Sequence, residues 1–204
     1  MSMGMTEADV CNQALARLGA EKILGLDDGS KGARYCRLFY EQTRDEVLRS
    51  HPWNFAMKRE VLIRLTDDPP FGWGRQYQLP GDFLRLVQLN GFAADEASRN
   101  SEIEGDKLLC DEEMAQVRYV RRVEDAAQYD PLFAEALAVK LASKLAQPLT
   151  GSRSLAAEIL QEYERVIAPL ARRVDSQEDR SRRKQPWVES AFVLARRGPR
   201  PAGG

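Results

Sequence analysis

Cysteine is scarce in this sequence, and its spacing excludes two common architectures. Cys11, Cys36 and Cys110 are the three cysteines among 204 residues. Small disulfide-rich domains carry an even number of cysteines, and zinc sites use closely spaced pairs. These three are far apart and include no Cys-x-x-Cys pair. We therefore expect reduced cytosolic thiols, with neither a disulfide framework nor a metal bound through them.

Long apolar runs are also missing. No run approaches the roughly 18 to 20 residues that a membrane-spanning helix requires. The first ten residues, MSMGMTEADV, lack the basic and then apolar pattern of a secretion signal. We therefore expect no membrane span and no export. The hydrophobic content of 43% is near the globular average, so length and composition predict one folded domain with a core of its own.

Neither sign of charge dominates the total, but the two signs are unevenly distributed. The chain carries 30 basic and 31 acidic residues, a net charge of −1. Residues 180–204 hold seven Lys or Arg and one Glu, a net of +6, whereas residues 1–179 hold 23 basic and 30 acidic residues, a net of −7. The sequence therefore predicts an acidic folded body, residues 1–179, followed by a basic extended tail, residues 180–204.

Hydrophobic periodicity predicts helices at both ends of the body and strands between them. Apolar residues recur at helical spacing over about 6–19, 31–50, 131–147 and 152–175. Over roughly 57–122 the period falls to two, which predicts an antiparallel sheet of four or five short strands with a two-residue hairpin turn at Gly105-Asp106. Pro148 is expected to end the third helix. The fold class expected is α+β, an antiparallel bundle of about four helices with an inserted antiparallel β-sheet and an extended C-terminal tail.

Residues that could carry catalysis are few. The chain has one histidine, His51, at the end of the second helix, and no Gly-x-Ser-x-Gly motif, so a nucleophile with its base is not expected. Glu102, Glu104 and Asp106 form an acidic cluster, and two facing carboxylates can cleave glycosidic bonds. Strand alternation favours a solvated face for Glu102 and Glu104. We therefore predict no catalytic, metal or cofactor residues and interpret His51 as structural.

A loop at residues 67–77 carries the first candidate interaction residues, Phe71 and Trp73, each beside a glycine. Aromatic side chains on surface loops often contact partners, and Trp is enriched at interface hot spots. The alternative is that Trp73 folds back to cover the sheet. Both interpretations remain open from the sequence.

The basic tail carries the second candidate. Apolar residues lie between two Arg-rich clusters, a composition that predicts a segment ordering on an acidic partner. The candidate contacts are Arg182, Arg183, Lys184, Trp187, Phe192 and Val193. Fully extended, the tail would reach about 80 Å, far enough to cross to another subunit. A loosely attached end and a nucleic-acid contact are the alternatives.

Seven short motifs follow one another along the chain: His51-Pro-Trp-Asn-Phe-Ala56, Pro69-Pro-Phe-Gly-Trp-Gly74, Tyr77-Gln-Leu-Pro80 with Asp82, Glu102-Ile-Glu-Gly105, Arg118-Tyr-Val120, Asp130-Pro-Leu-Phe133 and Leu145-Ala-Gln-Pro-Leu-Thr-Gly151. In this order they resemble the motifs of the tail tubular protein A family of bacteriophages. The resemblance covers the chain from about Thr6 to Asp175. It implies a non-enzymatic virion protein, a head-to-tail adaptor or connector.

The resemblance also implies an assembly and its partners. Family members are similar in forming a homo-oligomeric ring, usually of twelve copies, beneath the portal protein, where they extend the DNA ejection conduit and offer a platform to the tail nozzle or another tail protein. The location implied is the head–tail junction of the virion, after assembly in the host cytoplasm, with genomic DNA passing nearby. The tail would bind the portal, and the loop with Phe71 and Trp73 would contact a neighbouring subunit or a tail protein.

Two other functions are kept as alternatives. One is a virion-associated cell-wall hydrolase that uses Glu102, Glu104 or Asp106. The other is a soluble nucleic-acid-binding factor that uses the Arg-rich tail, whose contacts with phosphates would weaken as salt rises.

Overall fold

A computed structural model of the protein describes residues 4–182, with side-chain surroundings up to residue 177. Helix makes up 49% and strand 20% of the described structure, and the strands form two antiparallel sheets, so the expected α+β class is confirmed. Of the candidate tail contacts, Arg183, Lys184, Trp187, Phe192 and Val193 lie outside the described residues. Arg182 is the last residue of a helix, and its side chain is not among those described.

The first two helices begin at side-chain caps. Helix α1, Glu7–Arg17, starts with a capping box in which the Thr6 hydroxyl accepts the Asp9 amide at 3.2 Å and the Asp9 carboxylate accepts the Thr6 amide at 2.9 Å. Helix α2, Lys31–Ser50, is capped by Ser30. It ends before His51-Pro52, because the residue preceding a proline avoids helical backbone angles.

The C-terminal helices differ from the sequence-based expectation in two ways. Helix α4, Pro131–Thr150, passes through Pro148 instead of ending there. Pro148 lies in the last turn, where its missing amide removes a single hydrogen bond, and the helix ends at Gly151, whose φ of 76° suits glycine. The helix expected near 152–175 is three consecutive segments and reaches Arg182, so it includes the first residues of the expected tail. The segments are α5, Arg153–Glu162, a π-helical turn, Tyr163–Ile167, and α6, Ala168–Arg182.

The middle of the chain forms eight strands in two sheets, so the expectation of one sheet with four or five strands is wrong. The strands are β1 Met57–Val61, β2 Ile63–Arg64, β3 Arg75–Gln78, β4 Phe83–Leu89, β5 Phe92–Ala93, β6 Ser101–Glu104, β7 Lys107–Cys110 and β8 Gln116–Arg121. Sheet A has the order β1-β8-β4-β5 and sheet B the order β2-β3-β7-β6. The division occurs at Leu62, whose amide bonds to Ala115, so β1 and β2 enter different sheets. A short helix, α3, covers Ala94–Ala97.

The expected hairpin turn is confirmed. Strands β6 and β7 pair from Ser101↔Cys110 to Glu104↔Lys107, which leaves Gly105 and Asp106 as the two-residue loop. Gly105 has a φ of 59°, and Asp106 has no positive φ, as expected of a loop with glycine in the first position.

Two hydrophobic clusters hold these elements together. The larger one joins the helices to one face of sheet A, with Trp53 and Phe133 in edge-to-face contact at 5.2 Å and Val120 fully buried. Helix α4 lies at its centre, packed against α1, α2 and α5. The smaller cluster lies between the sheets and includes Tyr77 and Tyr119. Sheet A therefore contributes to both clusters, whereas sheet B contributes to the smaller one.

Candidate functional site

The loop between β2 and β3 presents its two aromatic residues differently. Phe71 is 85% exposed. Trp73 is half-buried and donates its indole N–H to Glu102 Oε2 on β6 at 3.2 Å. Between them Gly72 has a φ of 86°, a conformation that favours glycine. The chain reversal at Gly72 thus leaves Phe71 in solvent while Trp73 folds back onto sheet B.

Hydrogen bonds hold this loop at both ends. At its start Arg64 forms an ion pair with Asp68 at 3.0 Å. At its end the Gly74 amide donates to Asp111 Oδ1 at 2.7 Å, and a Cβ at Gly74 would lie 3.2 Å from that oxygen. Phe71 is therefore an apolar side chain on a positioned loop, and such a group loses little conformational entropy when a partner covers it.

A groove of about 910 Å³ lies beside Trp73. The end of α2, strand β4, helix α3 and the edge strand β6 enclose it. Its apolar lining includes Phe83, Leu84, Leu86 and Ile103, and its charged lining includes Arg49, Arg85 and Glu102. We call it the arginine groove.

Positive charge concentrates at the arginine groove. Burial lowers the pKa of Arg85, and the like charges of Arg49 and Arg172 lower it further. Arg49 donates to the Leu84 carbonyl, and the Nε of Arg172 is buried without a hydrogen-bond partner within residues 4–177. In that part of the chain none of the three arginines forms an ion pair with a carboxylate. Sequence patterns could not indicate this cluster, because its members come from α2, β4 and α6.

The carboxylates considered for hydrolysis lie at the tip and edge of sheet B. Glu102 and Glu104 are exposed on β6, and Asp106 is exposed in the hairpin turn, where its carboxylate accepts a hydrogen bond from Gln78 at 3.1 Å. Glu102 is the one that lines the arginine groove, where it accepts the hydrogen bond from Trp73. Among the side chains of residues 4–177, no group of His, Cys, Asp and Glu could hold a metal ion.

His51 joins the end of α2 to α6. Its Nε2 lies 2.9 Å from Asp175 Oδ2, while the Asn54 amide donates to Asp175 Oδ1 at 2.9 Å and the Asn54 side chain donates to the Asp175 carbonyl at 2.7 Å. Trp53 completes the corner by donating to the Val47 carbonyl. The motif that begins at His51 therefore forms a structural corner, and it fixes α6 seven residues before the described chain ends at Arg182.

The three cysteines are free and buried. A hydrogen bond with Cys36, together with burial, raises the pKa of the Cys11 thiol above its ordinary range. A buried thiol of raised pKa is a poor nucleophile. Cys11 and Cys36 belong to the helical cluster and Cys110 to the cluster between the sheets.

No described helix combines the length and the apolar character required to cross a bilayer. No protein-family model matches the chain, and no curated protein is significantly similar to it. A functional assignment therefore depends on the surfaces described above and on the resemblance of the sequence motifs.

Proposed function

We propose that this protein is a structural head-to-tail adaptor of a bacteriophage virion, a ring-forming connector between the portal protein and the tail. The observation that carries the proposal is the aromatic loop: hydrogen bonds fix its ends, and it holds Phe71 in solvent beside the arginine groove. An apolar side chain on a positioned loop is suited to burial against another protein. The ordered motifs from Thr6 to Asp175 supply the class of assembly.

In this proposal the helices form an antiparallel bundle of about four, with the two sheets as an insertion and the residues after α6 as an extended tail. Copies of the protein, twelve by resemblance, assemble side by side at the head–tail junction. The ring extends the DNA conduit, so genomic DNA passes close to it without specific recognition. The protein acts by assembly and not as an enzyme.

The C-terminal tail is the proposed portal-binding segment. Trp187, Phe192 and Val193 serve as apolar anchors, and Arg182, Arg183 and Lys184 face acidic portal surface. The hydrogen bonds of Asp175 support this role, because they fix the helix from which the tail continues. A fixed starting point lowers the entropy lost when the tail orders on a partner.

The direct test is reconstitution on a portal. Purified protein is mixed with portal rings or DNA-filled heads lacking tails, and the complexes are examined by electron microscopy. We expect an added ring below the portal, aligned with its channel, and tail protein recruited onto the far side of that ring. Protein that leaves the portal bare at saturating concentration would overturn the adaptor proposal.

A second candidate, a cell-wall hydrolase, is favoured by one observation: Glu102 lines the arginine groove. A retaining or inverting mechanism needs a second carboxyl group across the bond to be cleaved. Incubation of the protein with purified peptidoglycan tests this candidate, and release of soluble fragments would favour it over the adaptor.

A further inference from the structure

The loop between α1 and α2 holds one leucine out in solvent. Leu24 is 97% exposed, although the preceding residue, Ile23, is buried. Ile23 is fixed by Asn12, which accepts its amide at 2.8 Å and donates to its carbonyl at 2.9 Å. On the other side Asp28 accepts the Ser30 amide at 2.9 Å. Leu24 is therefore an apolar side chain held outward by a hydrogen-bonded loop, the arrangement that reduces the entropy lost on binding.

The same loop is acidic. We call residues 21–28 the Leu24 loop; Glu21, Asp27 and Asp28 give it a net charge of −2 against Lys22. The Asp27 side chain is fully exposed, and its ion pair with Arg37 is long, 3.9 Å between two exposed groups. Such a pair is weak, so Asp27 can form a closer ion pair with another chain at little cost.

The arginine groove has the complementary properties. Arg49 and Arg85 line it, Arg172 lies close enough to Arg85 for their like charges to interact, and its one lining carboxylate, Glu102, accepts a hydrogen bond from Trp73. Leu86 and Ile103 offer apolar surface beside these charges, and Ile103 is 42% exposed. A ligand that fits this groove combines an apolar side chain with one or two carboxylates.

The groove and the Leu24 loop lie at opposite ends of α2. The loop precedes Lys31, the first residue of the helix, and Arg49 is near its last residue, so the 20 residues of α2 separate them by about 30 Å. A chain therefore cannot fill its own groove with its own loop. A second copy can.

We propose that the Leu24 loop of one copy docks in the arginine groove of the next, an inference that rests on the proposed function as a ring-forming adaptor. Leu24 packs against Leu86 and Ile103, and Asp27 pairs with Arg85. Two different surfaces of the same molecule meet in this contact, so it is heterologous, and a heterologous contact produces a ring when its rotation closes. Arg85 thereby gains a carboxylate partner, which the described part of its own chain does not provide.

Nucleic acid fits the groove less well than this loop. A phosphate backbone gains little from the apolar wall. The loop uses the apolar wall and the arginines together.

Cysteine cross-linking tests the contact directly. Gly25 adjoins Leu24, has no positive φ, and a Cβ there would meet open space, so Gly25→Cys keeps the loop intact. Ser98 is exposed and lines the groove. Full-length Gly25→Cys and Ser98→Cys proteins, one of them carrying a mass tag, are mixed at about 1 mM and oxidised mildly. We expect disulfide-linked heterodimers well above the yield with Glu158→Cys, a control on the exposed face of α5, in place of Ser98→Cys.

Charge substitutions identify the pairs of residues. Adding Arg85→Glu to the Ser98→Cys chain is expected to lower the heterodimer yield about tenfold, as is Asp27→Lys in the Gly25→Cys chain. When both are present the reversed charges face each other, and we expect the yield to recover. A yield no higher than the Glu158→Cys control, or a yield insensitive to Arg85→Glu, would overturn the contact. If an added short DNA duplex abolishes the cross-link at physiological salt, nucleic acid binds the groove in preference to the Leu24 loop, and the proposed occupant is wrong.

The failure of this inference is distinguishable from failure of the proposed function. Rings that assemble on the portal without the cross-link would leave the adaptor standing and remove the interface. A specific cross-link in a protein that never binds a portal would support the interface between copies and contradict the adaptor proposal.

Discussion

The imidazole of His51 lies 2.9 Å from the carboxylate of Asp175, and this hydrogen bond joins the end of α2 to α6 across 124 residues of sequence. Both side chains are nearly buried, at 13% and 9% exposure. The second oxygen of the carboxylate accepts the Asn54 amide. One acidic side chain of α6 therefore bonds to two groups of the segment between α2 and β1, and this places the C-terminal helix.

Replacing that carboxylate is expected to destabilise the fold. Asp175→Ala leaves the Asn54 amide and the His51 ring without their acceptor in a mostly buried corner. Each buried group without a hydrogen-bond partner lowers the free energy of unfolding by about 1 to 3 kcal/mol. We expect the free energy of unfolding, measured in urea, to fall by about 2 kcal/mol. Ser176→Ala, at the exposed neighbouring position, is the control. Equal stability of the two variants would contradict the assigned role of Asp175.

An ion-pair network between α2 and α4 should give stability that depends on pH. Glu46 bonds to Lys140 at 3.2 Å and to Lys144 at 2.5 Å. Partial burial raises the pKa of Glu46, but hydrogen bonds and charge from the two lysines outweigh it and hold the pKa below its ordinary value of 4.5. A carboxyl with a depressed pKa stabilises the fold above its unfolded pKa, and the effect is lost as pH falls through the folded pKa.

Glu46→Gln should therefore be less stable than the parent at pH 7 and equally stable in acid. Because the Glu46 side chain is 47% exposed, we expect a difference of less than about 1 kcal/mol at pH 7. Urea unfolding between pH 7 and pH 3 measures it, with Glu158→Gln on the exposed face of α5 as the control. A stability difference that persists in acid would show that packing, and not charge, is responsible.

Phe71 is expected to matter for binding and not for folding. Because its ring is almost fully exposed, Phe71→Ser should change the midpoint of unfolding very little. Attachment of tail protein to reconstituted portal–adaptor complexes should fall about tenfold, the effect of removing one interface anchor. Leu38→Ser, a similar loss of exposed apolar surface on α2, serves as the matched control. An equal effect of both variants would remove the specific role of Phe71.

Truncation after Arg182 tests the tail without cutting into α6. We expect the chain of residues 1–182 to retain the circular dichroism spectrum and the urea midpoint of the full protein. Its affinity for purified portal should fall at least about tenfold, because the apolar anchors and most of the basic residues are gone. Unchanged affinity would favour a loosely attached end. Strong salt-dependent DNA binding that disappears on truncation would favour the nucleic-acid-binding alternative.

The acidic cluster is expected to be dispensable for function. Glu102→Gln and Glu104→Gln should both support ring assembly on the portal, and the parent protein should release no soluble fragments from peptidoglycan. If the parent protein releases fragments and Glu102→Gln or Glu104→Gln abolishes that release, the hydrolase replaces the adaptor as the proposed function.

Some elements of the fold can be predicted from short stretches of sequence, because residues close together in the chain determine where they begin and end. Helix α2 starts after a Ser cap and stops at a proline, and both signals are visible in a few residues. The hairpin at Gly105 is visible for the same reason, because a two-residue loop with glycine first has few alternatives. Pro148 misled the sequence-based expectation, because the effect of a proline depends on how many turns follow it.

Features that depend on distant segments were not predictable. Periodicity cannot show that Leu62 separates two sheets, since the assignment of β1 and β2 is decided by their pairing with β8 and β3. The arginine groove has the same origin, because Arg49, Arg85 and Arg172 meet only when the chain has folded. The π-helical turn before α6 likewise leaves no mark in an apolar stripe that runs past it.

Sheet A contributes to both hydrophobic clusters, and we therefore expect the two clusters to unfold with different stabilities. The large helical cluster and sheet A have most of the buried side chains, whereas sheet B is held through the smaller cluster alone. Amide hydrogens of β2, β3, β6 and β7 should therefore exchange with solvent through partial openings that leave the helices intact. Phe71, Trp73 and the β6 side of the arginine groove belong to the sheet B unit, which we expect to open first. A partner that covers them would slow this hydrogen exchange, so the exchange rate of these amides measures binding of the partner.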